Sequence, residues 1–160
     1  MTITDERVEV SNPYGFIFGG NARFSIVNTK SGVEHKYHVK VSKDNRNLYY
    51  VHVKVESSYV YAGYILMNED GTFTFRQGKK GHIEPKDPII RGLYYAAKFG
   101  KDTPLPKPMA FWHHGYCACC GRKLDDRISI NRGVGPVCWK SFERRFKRNV
   151  EHDMFDETKP

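Results

Sequence analysis

All four cysteines of the chain, Cys117, Cys119, Cys120 and Cys138, lie in one short stretch, and residues 1–116 contain none. A disulfide framework spreads its cysteines along the chain, whereas thiols persist where the compartment is reducing. Clustering around a Cys-x-x-Cys pair, Cys117 and Cys120, points to metal before redox chemistry. A redox pair normally opens a helix beside a βαβ pattern. Here the surroundings read as loop and strand, and Cys138 supplies a third sulfur. The end of the chain is therefore expected to fold around a point, whatever the earlier residues build.

The local chemistry supports that expectation. Gly121 follows Cys120 at once and permits the positive φ that closes a two-thiolate knuckle. Gly133-Val134-Gly135-Pro136 precedes Cys138, and Pro136 pre-sets φ for helix entry. Cys138 should then sit in the first helical turn, where the positive end of the helix dipole favours a thiolate. A structural zinc site needs four ligands in a tetrahedron. Cys117, Cys120 and Cys138 are three; His113, His114 and Cys119 are candidates for the fourth, and reach favours His113. A filled site leaves no position for water or substrate, so Zn2+ here would be structural. No paired carboxylates, Ser-His-Asp set or phosphate-cradling loop stands out, so a non-enzymatic protein is expected.

The rest of the chain has two textures. Residues 16–75 alternate with period two. Tyr50, His52 and Lys54 fall on one face of a strand, and Tyr49, Val51, Val53 and Val55 on the other. Asn68-Glu69-Asp70-Gly71 is a hairpin signal. Strands at this spacing make an antiparallel meander. The period then changes: Ile89, Ile90, Leu93, Tyr94 and Ala97 predict a short helix with Asp87 as N-cap, Pro88 at its first position and Gly100 at its end. The fold class is α+β. A β-rich domain over 13–108 is followed by a zinc-knuckle module over 109–150 that ends in a basic helix, and by an acidic tail over 151–160.

The pattern His113, Cys117, Cys120, Gly121, Arg122, Leu124, then Ser129-Ile130, then Gly133, Gly135, Pro136 and Cys138 resembles a zinc-binding module of bacteriophage proteins of unknown function. The resemblance is specific over about 30 residues. It implies a phage origin and the ligand set His113, Cys117, Cys120 and Cys138. It supplies no activity, and Cys119 departs from the usual pattern.

Charge suggests the partner. The chain carries a formal net charge of +8 and a pI near 9.3, which favours polyanions because each cation near a phosphate releases a counterion. The expected contacts are Lys123, Arg127 and Arg132 in the module, and Lys140, Arg144, Arg145, Lys147 and Arg148 on the last helix. Trp139, Phe142, Phe146 and Val150 would form that helix's apolar stripe. Tyr49, Tyr50, Tyr59, Tyr61 and Tyr64 offer possible stacking faces for unpaired bases. No apolar run approaches the roughly 20 residues of a membrane span, and residues 1–10 do not resemble a signal peptide. A protein of the bacterial host cytoplasm is expected. Its function would be that of a phage accessory factor binding DNA or RNA in replication, recombination or transcription. The alternative is a host-directed interaction protein that binds and inhibits a bacterial polymerase or defence complex.

Overall fold

The computed structural model describes residues 8–145. In chain order the elements are β1 (Val8–Glu9), α1 (Pro13–Ile17), β2 (Asn21–Asn28), β3 (Glu34–Val41), β4 (Leu48–Val55) and β5 (Ser58–Met67). There follow β6 (Phe73–Arg76), α2 (Pro88–Phe99), β7 (Met109–His113) and α3 (Arg127–Arg132), and a final helix, α4, is described over 136–145. The strands form one seven-stranded antiparallel sheet in the order β1-β7-β2-β3-β4-β5-β6. The α+β class and the meander are as the alternation indicates. Among the described residues no helix is long and apolar enough to cross a membrane.

The meander arises because short turns join runs that can bury every second residue. Asn68 and Gly71 close the β5–β6 hairpin: the Gly71 N–H donates to the Asn68 carbonyl at 3.0 Å, with Gly71 at φ +87°. One face of the sheet turns Ala22, Phe24, Ile26, Tyr37, Val39, Val51 and Val53 into the core. Phe24 stacks between Tyr37 and Phe111 at centroid distances of 5.2 and 4.6 Å. Each such side chain contributes about 1.5–3 kcal/mol on burial.

Helix α2 covers this face with Ile89, Ile90, Leu93, Ala96 and Ala97. Asp87 caps it, its carboxylate accepting from the Ile89 N–H at 3.0 Å, and Pro88 occupies the first turn. Tyr94, which the helical period places on the apolar stripe, is 44% exposed and packs on Phe73 instead. The phenol of Tyr37 crosses the core to donate to the Ile89 carbonyl at 2.6 Å, tying β3 to the start of α2.

Two elements at the start of the chain are not evident in the sequence. Pro13–Ile17 is helical, capped by Asn12, whose side chain accepts from the Gly15 N–H. Val8–Glu9 extends the sheet by pairing with β7. β7 itself lies between β1 and β2, not beyond the meander.

The outer face is defined by one irregularity. The β4–β5 register shifts at Val51/His52, so that Val51 opposes Gly63, while His52 opposes Tyr61 and Tyr50 opposes Tyr64. Ala62 is the inserted residue of a bulge, and it is fully buried. The bulge keeps Tyr61 and Tyr64 on one face although they are three residues apart. A Cβ at Gly63 would stand 2.5 Å from the Arg76 carbonyl oxygen and 2.6 Å from the Phe75 ring. Gly63→Ala should therefore cost about 1–3 kcal/mol, read as a lower midpoint in chemical denaturation. An unchanged midpoint would show that the bulge is not held by this close approach.

Candidate metal centre

β7 delivers the chain to the cysteines. Past His113 the backbone turns at Gly115 and folds back on itself, with Tyr116 bridging to Lys123. The Cys117 N–H donates to the Arg122 carbonyl at 2.8 Å, Gly121 N–H to Cys117 at 2.9 Å, and Leu124 N–H to Gly115 at 2.7 Å. Gly121 takes φ +78°, as the knuckle requires. The knuckle docks on the sheet through Ala118, fully buried, whose carbonyl accepts from the Asn21 N–H at 2.7 Å.

The return path is built by α3, a short helix within what reads as loop. Asp126 caps it, accepting from the Ser129 N–H at 3.0 Å, and Gly133 ends it at φ +75°. A Cβ at Gly133 would meet the Phe16 ring at 2.7 Å, so this close approach needs glycine. The Trp139 N–H then bonds the Gly135 carbonyl, and α4 carries Cys138 in its first turn.

These elements bring Cys117, Cys120 and Cys138 together, with their sulfurs all within 4.8 Å of one another. Tetrahedral thiolate ligation of zinc at about 2.3 Å separates sulfurs by about 3.8 Å, so small side-chain shifts would bring the three sulfurs onto one ion, with the fourth tetrahedral position left to a further donor. Cys117 is buried, Cys138 half-buried and Cys120 exposed. The Cys117 sulfur accepts backbone N–H groups from Gly135 at 3.3 Å and Cys119 at 3.4 Å. Its pKa falls to about 4, first through a hydrogen bond from the Cys119 thiol, against the cost of burial, and then through the N–H groups of Gly135, Cys120 and Cys119. Cys119 is pushed up, chiefly because its thiol is the donor in that bond. Burial, then the neighbouring Cys117 charge, pushes Cys138 up to about 12. The Cys117 sulfur is thus favoured as thiolate while Cys138 is held protonated, a balance that a bound cation reverses. The donor set fits a metal ion that accepts soft sulfur ligands.

His113 does not join the sulfurs in this arrangement. Its ring is buried, stacked on Phe16 at 5.6 Å, with Nδ1 accepting from the Gly115 N–H at 3.0 Å and Nε2 2.6 Å from the Ile130 carbonyl. A carbonyl only accepts, so Nε2 carries the proton and both ring nitrogens are engaged. The ring fastens α3 to the end of β7, a task that its spacing from Cys117 does not reveal. His114 Nε2 lies 2.6 Å from the Ser25 hydroxyl.

Of the cations expected to contact nucleic acid, Lys123, Arg127, Arg132, Lys140, Arg144 and Arg145 are all exposed. They do not all point outward freely. Arg132 stacks over Trp139 at 4.3 Å, and Arg145 donates to the carbonyls of Phe18 at 2.6 Å and Gly19 at 3.4 Å. Trp139 stacks on the buried Phe142. Lys147, Arg148, Phe146, Val150 and the acidic tail lie outside the described residues.

The sheet's outer face presents a cationic and aromatic surface that the sequence shows only in fragments. Directly opposed residues share a face. One registered row runs Asn21, Lys40, Tyr50, Tyr64, Arg76 across β2 to β6, and the next runs Arg23, His38, His52, Tyr61. Neither row contains a carboxylate. Arg23 also lies 5.3 Å over the Tyr116 ring, joining this face to the knuckle. His38 donates through Nε2 to Asn21 at 2.6 Å, and its pKa falls to about 4 through burial and then the charges of Arg23, His52 and Lys40. Tyr49 is not part of this surface: it faces the core and is 4% exposed.

A family model described as "Family of unknown function (DUF6011)" matches residues 108–143, which span β7, the knuckle, α3 and most of the described α4. No curated protein and no solved structure matches the chain.

If the three sulfurs form the site, Cys120→Ser should abolish stoichiometric metal binding. His113→Ala should retain the metal yet destabilise the fold by about 2–4 kcal/mol through lost packing and hydrogen bonds. Metal analysis alongside denaturation separates the two effects. Loss of metal in His113→Ala with an unchanged midpoint would instead make His113 a ligand.

Proposed function

We propose that the protein binds nucleic acid on the open face of its sheet, with a structural zinc ion on Cys117, Cys120 and Cys138 holding the C-terminal segment against that sheet. The observation that carries this reading is the pair of registered rows, where Lys40, Arg76 and Arg23 alternate with tyrosines and histidines and no carboxylate intervenes. Cations spaced along a strand-bearing surface match a phosphate backbone, and tyrosine rings accept any base by stacking. Zinc suits the sulfur donors because it takes tetrahedral thiolate sites without redox chemistry. The module cations Lys123, Arg127, Lys140 and Arg144 are exposed and add to the positive charge a polyanion would meet. An accessory role in replication, recombination or transcription rests on this binding, and a phage setting rests on the motif resemblance.

Fluorescence anisotropy with short single-stranded DNA and RNA tests the reading. With three or four phosphates neutralised, affinity should fall about tenfold or more between about 50 and about 200 mM salt. Lys40→Glu with Arg76→Glu should reduce binding sharply, and Tyr50→Ala or Tyr64→Ala should each cost about 1–3 kcal/mol, with melting unchanged. Phosphate near His38 opposes the cations that depress its pKa. The complex therefore takes up a proton more readily than the free protein, and affinity should rise as the pH falls toward about 4, where the free His38 titrates. His38→Gln should flatten that dependence. Absence of binding at low salt would contradict the reading, as would an affinity indifferent to the sheet-face substitutions.

A further inference from the structure

After β6 the chain runs Arg76-Gln77-Gly78-Lys79-Lys80-Gly81-His82, a stretch with three cations and no carboxylate. Glycines on either side of two lysines give a tight turn that carries its charge at the tip. Gly78 takes φ +70°, and the Gln77 side-chain amide donates to the Gly81 carbonyl at 3.1 Å, which closes the turn. Arg76, Lys79 and Lys80 are all exposed.

Close backbone approach fixes where this turn sits. The chain leaves the β5–β6 ladder at Arg76, opposite Tyr64, and returns to β5 where the His82 N–H donates to the Tyr61 carbonyl at 3.2 Å. A Cβ at Gly81 would stand 2.5 Å from the Ala62 carbonyl oxygen and overlap that of Gln77. A Cβ at Gly78 would meet the Tyr64 ring at 3.1 Å. The turn therefore packs on the Ala62–Gly63 bulge, and glycine at both positions lets it do so.

Tyr61 and Tyr64, the residues beside the turn, are the pair that the bulge brings onto the outer face. The Tyr61 ring lies 6.2 Å from Tyr50 and 5.5 Å from His52, so a continuous patch of rings reaches the edge where the turn begins. Stacking on such rings needs base faces that are not already covered. A duplex buries its base faces and shows only their edges, whereas an unpaired strand offers them all.

We propose that the Gly78–Gly81 turn is the phosphate-binding end of a single-strand track on the outer face. Lys79, Lys80 and Arg76 hold phosphates of an unpaired nucleic-acid strand whose bases stack on Tyr64 and Tyr61. This rests on the nucleic-acid reading above, and it adds a contact segment outside the two rows and the form of the ligand.

Fluorescence anisotropy of the full chain with oligothymidylate of about 12 nucleotides, from about 50 to about 200 mM salt, tests it. Lys79→Ala with Lys80→Ala should weaken binding about tenfold at the low-salt end. The same variant should reduce the slope of log affinity against log salt by about 1 or more, because phosphates lose their partners. The charge-matched control Arg91→Ala with Lys98→Ala, both exposed on α2 over the opposite face, should leave that slope unchanged. A duplex of the same length should bind more weakly than the single strand. Equal losses from the two double variants would overturn the role of the turn, and a duplex bound as tightly as the single strand would overturn the form of the ligand. In either case the sheet reading stands if Lys40→Glu with Arg76→Glu still weakens binding. Absence of any binding by the unaltered chain would overturn both.

Discussion

The hydrogen-bond ladder that seats β7 between β1 and β2 fixes where everything after it goes. Ser25 opposes Trp112 and Ile26 opposes Phe111 on one side, and Val8 opposes His113 on the other. The strand's inward residue Phe111 is fully buried against Phe24 and Phe16. Because β7 is interior to the sheet, the knuckle that follows emerges beside the start of β2 and is fastened there by Ala118 and Asn21. His113 then bonds the last turn of α3 from the end of the same strand. A metal ion held by the three sulfurs would close the remaining loop, linking the knuckle to the first turn of α4. Sheet, histidine clamp and thiol cluster act in series, each positioned by the one before.

Much of this was legible in the sequence, and the legible parts share a cause. The meander, the Asp87-capped helix, the Asn68–Gly71 hairpin, the positive φ of Gly121 and the helical setting of Cys138 all depend on neighbours within a few residues. Periodicity and turn chemistry report such local terms directly. The parts that were not legible depend on contacts distant in sequence. His113 has the spacing of a ligand, yet the carbonyl of Ile130 and the ring of Phe16 occupy it, and neither is adjacent in the chain. Tyr49 and Tyr50 look alike as letters, but pairing sends one to the core and the other to the surface. Tyr61 and Tyr64 appear to face opposite ways until the bulge at Ala62 is known. The short helices α1 and α3 carry too few residues for a period to show, although their caps, Asn12 and Asp126, are visible in hindsight as side chains that accept from a nearby N–H.

The two faces of the sheet divide the work of the molecule. The inner face is apolar and aromatic and carries the folding energy, covered by α1 and α2. The outer face keeps positive charge and tyrosine rings at strand spacing, a costly arrangement among like charges that a polyanion would relieve. Arg23 over Tyr116 joins the outer face to the knuckle that carries the thiol cluster. In this account the metal serves recognition indirectly, by fixing the segment that borders the sheet.

The central claim is that sulfur ligands from Cys117, Cys120 and Cys138 bind one structural metal ion. X-ray absorption at the zinc edge on the purified full chain addresses it most directly. The account predicts one zinc per chain with a first shell dominated by sulfur at about 2.3 Å. A first shell made mainly of nitrogen and oxygen, or a chain that folds fully without stoichiometric metal, would contradict it.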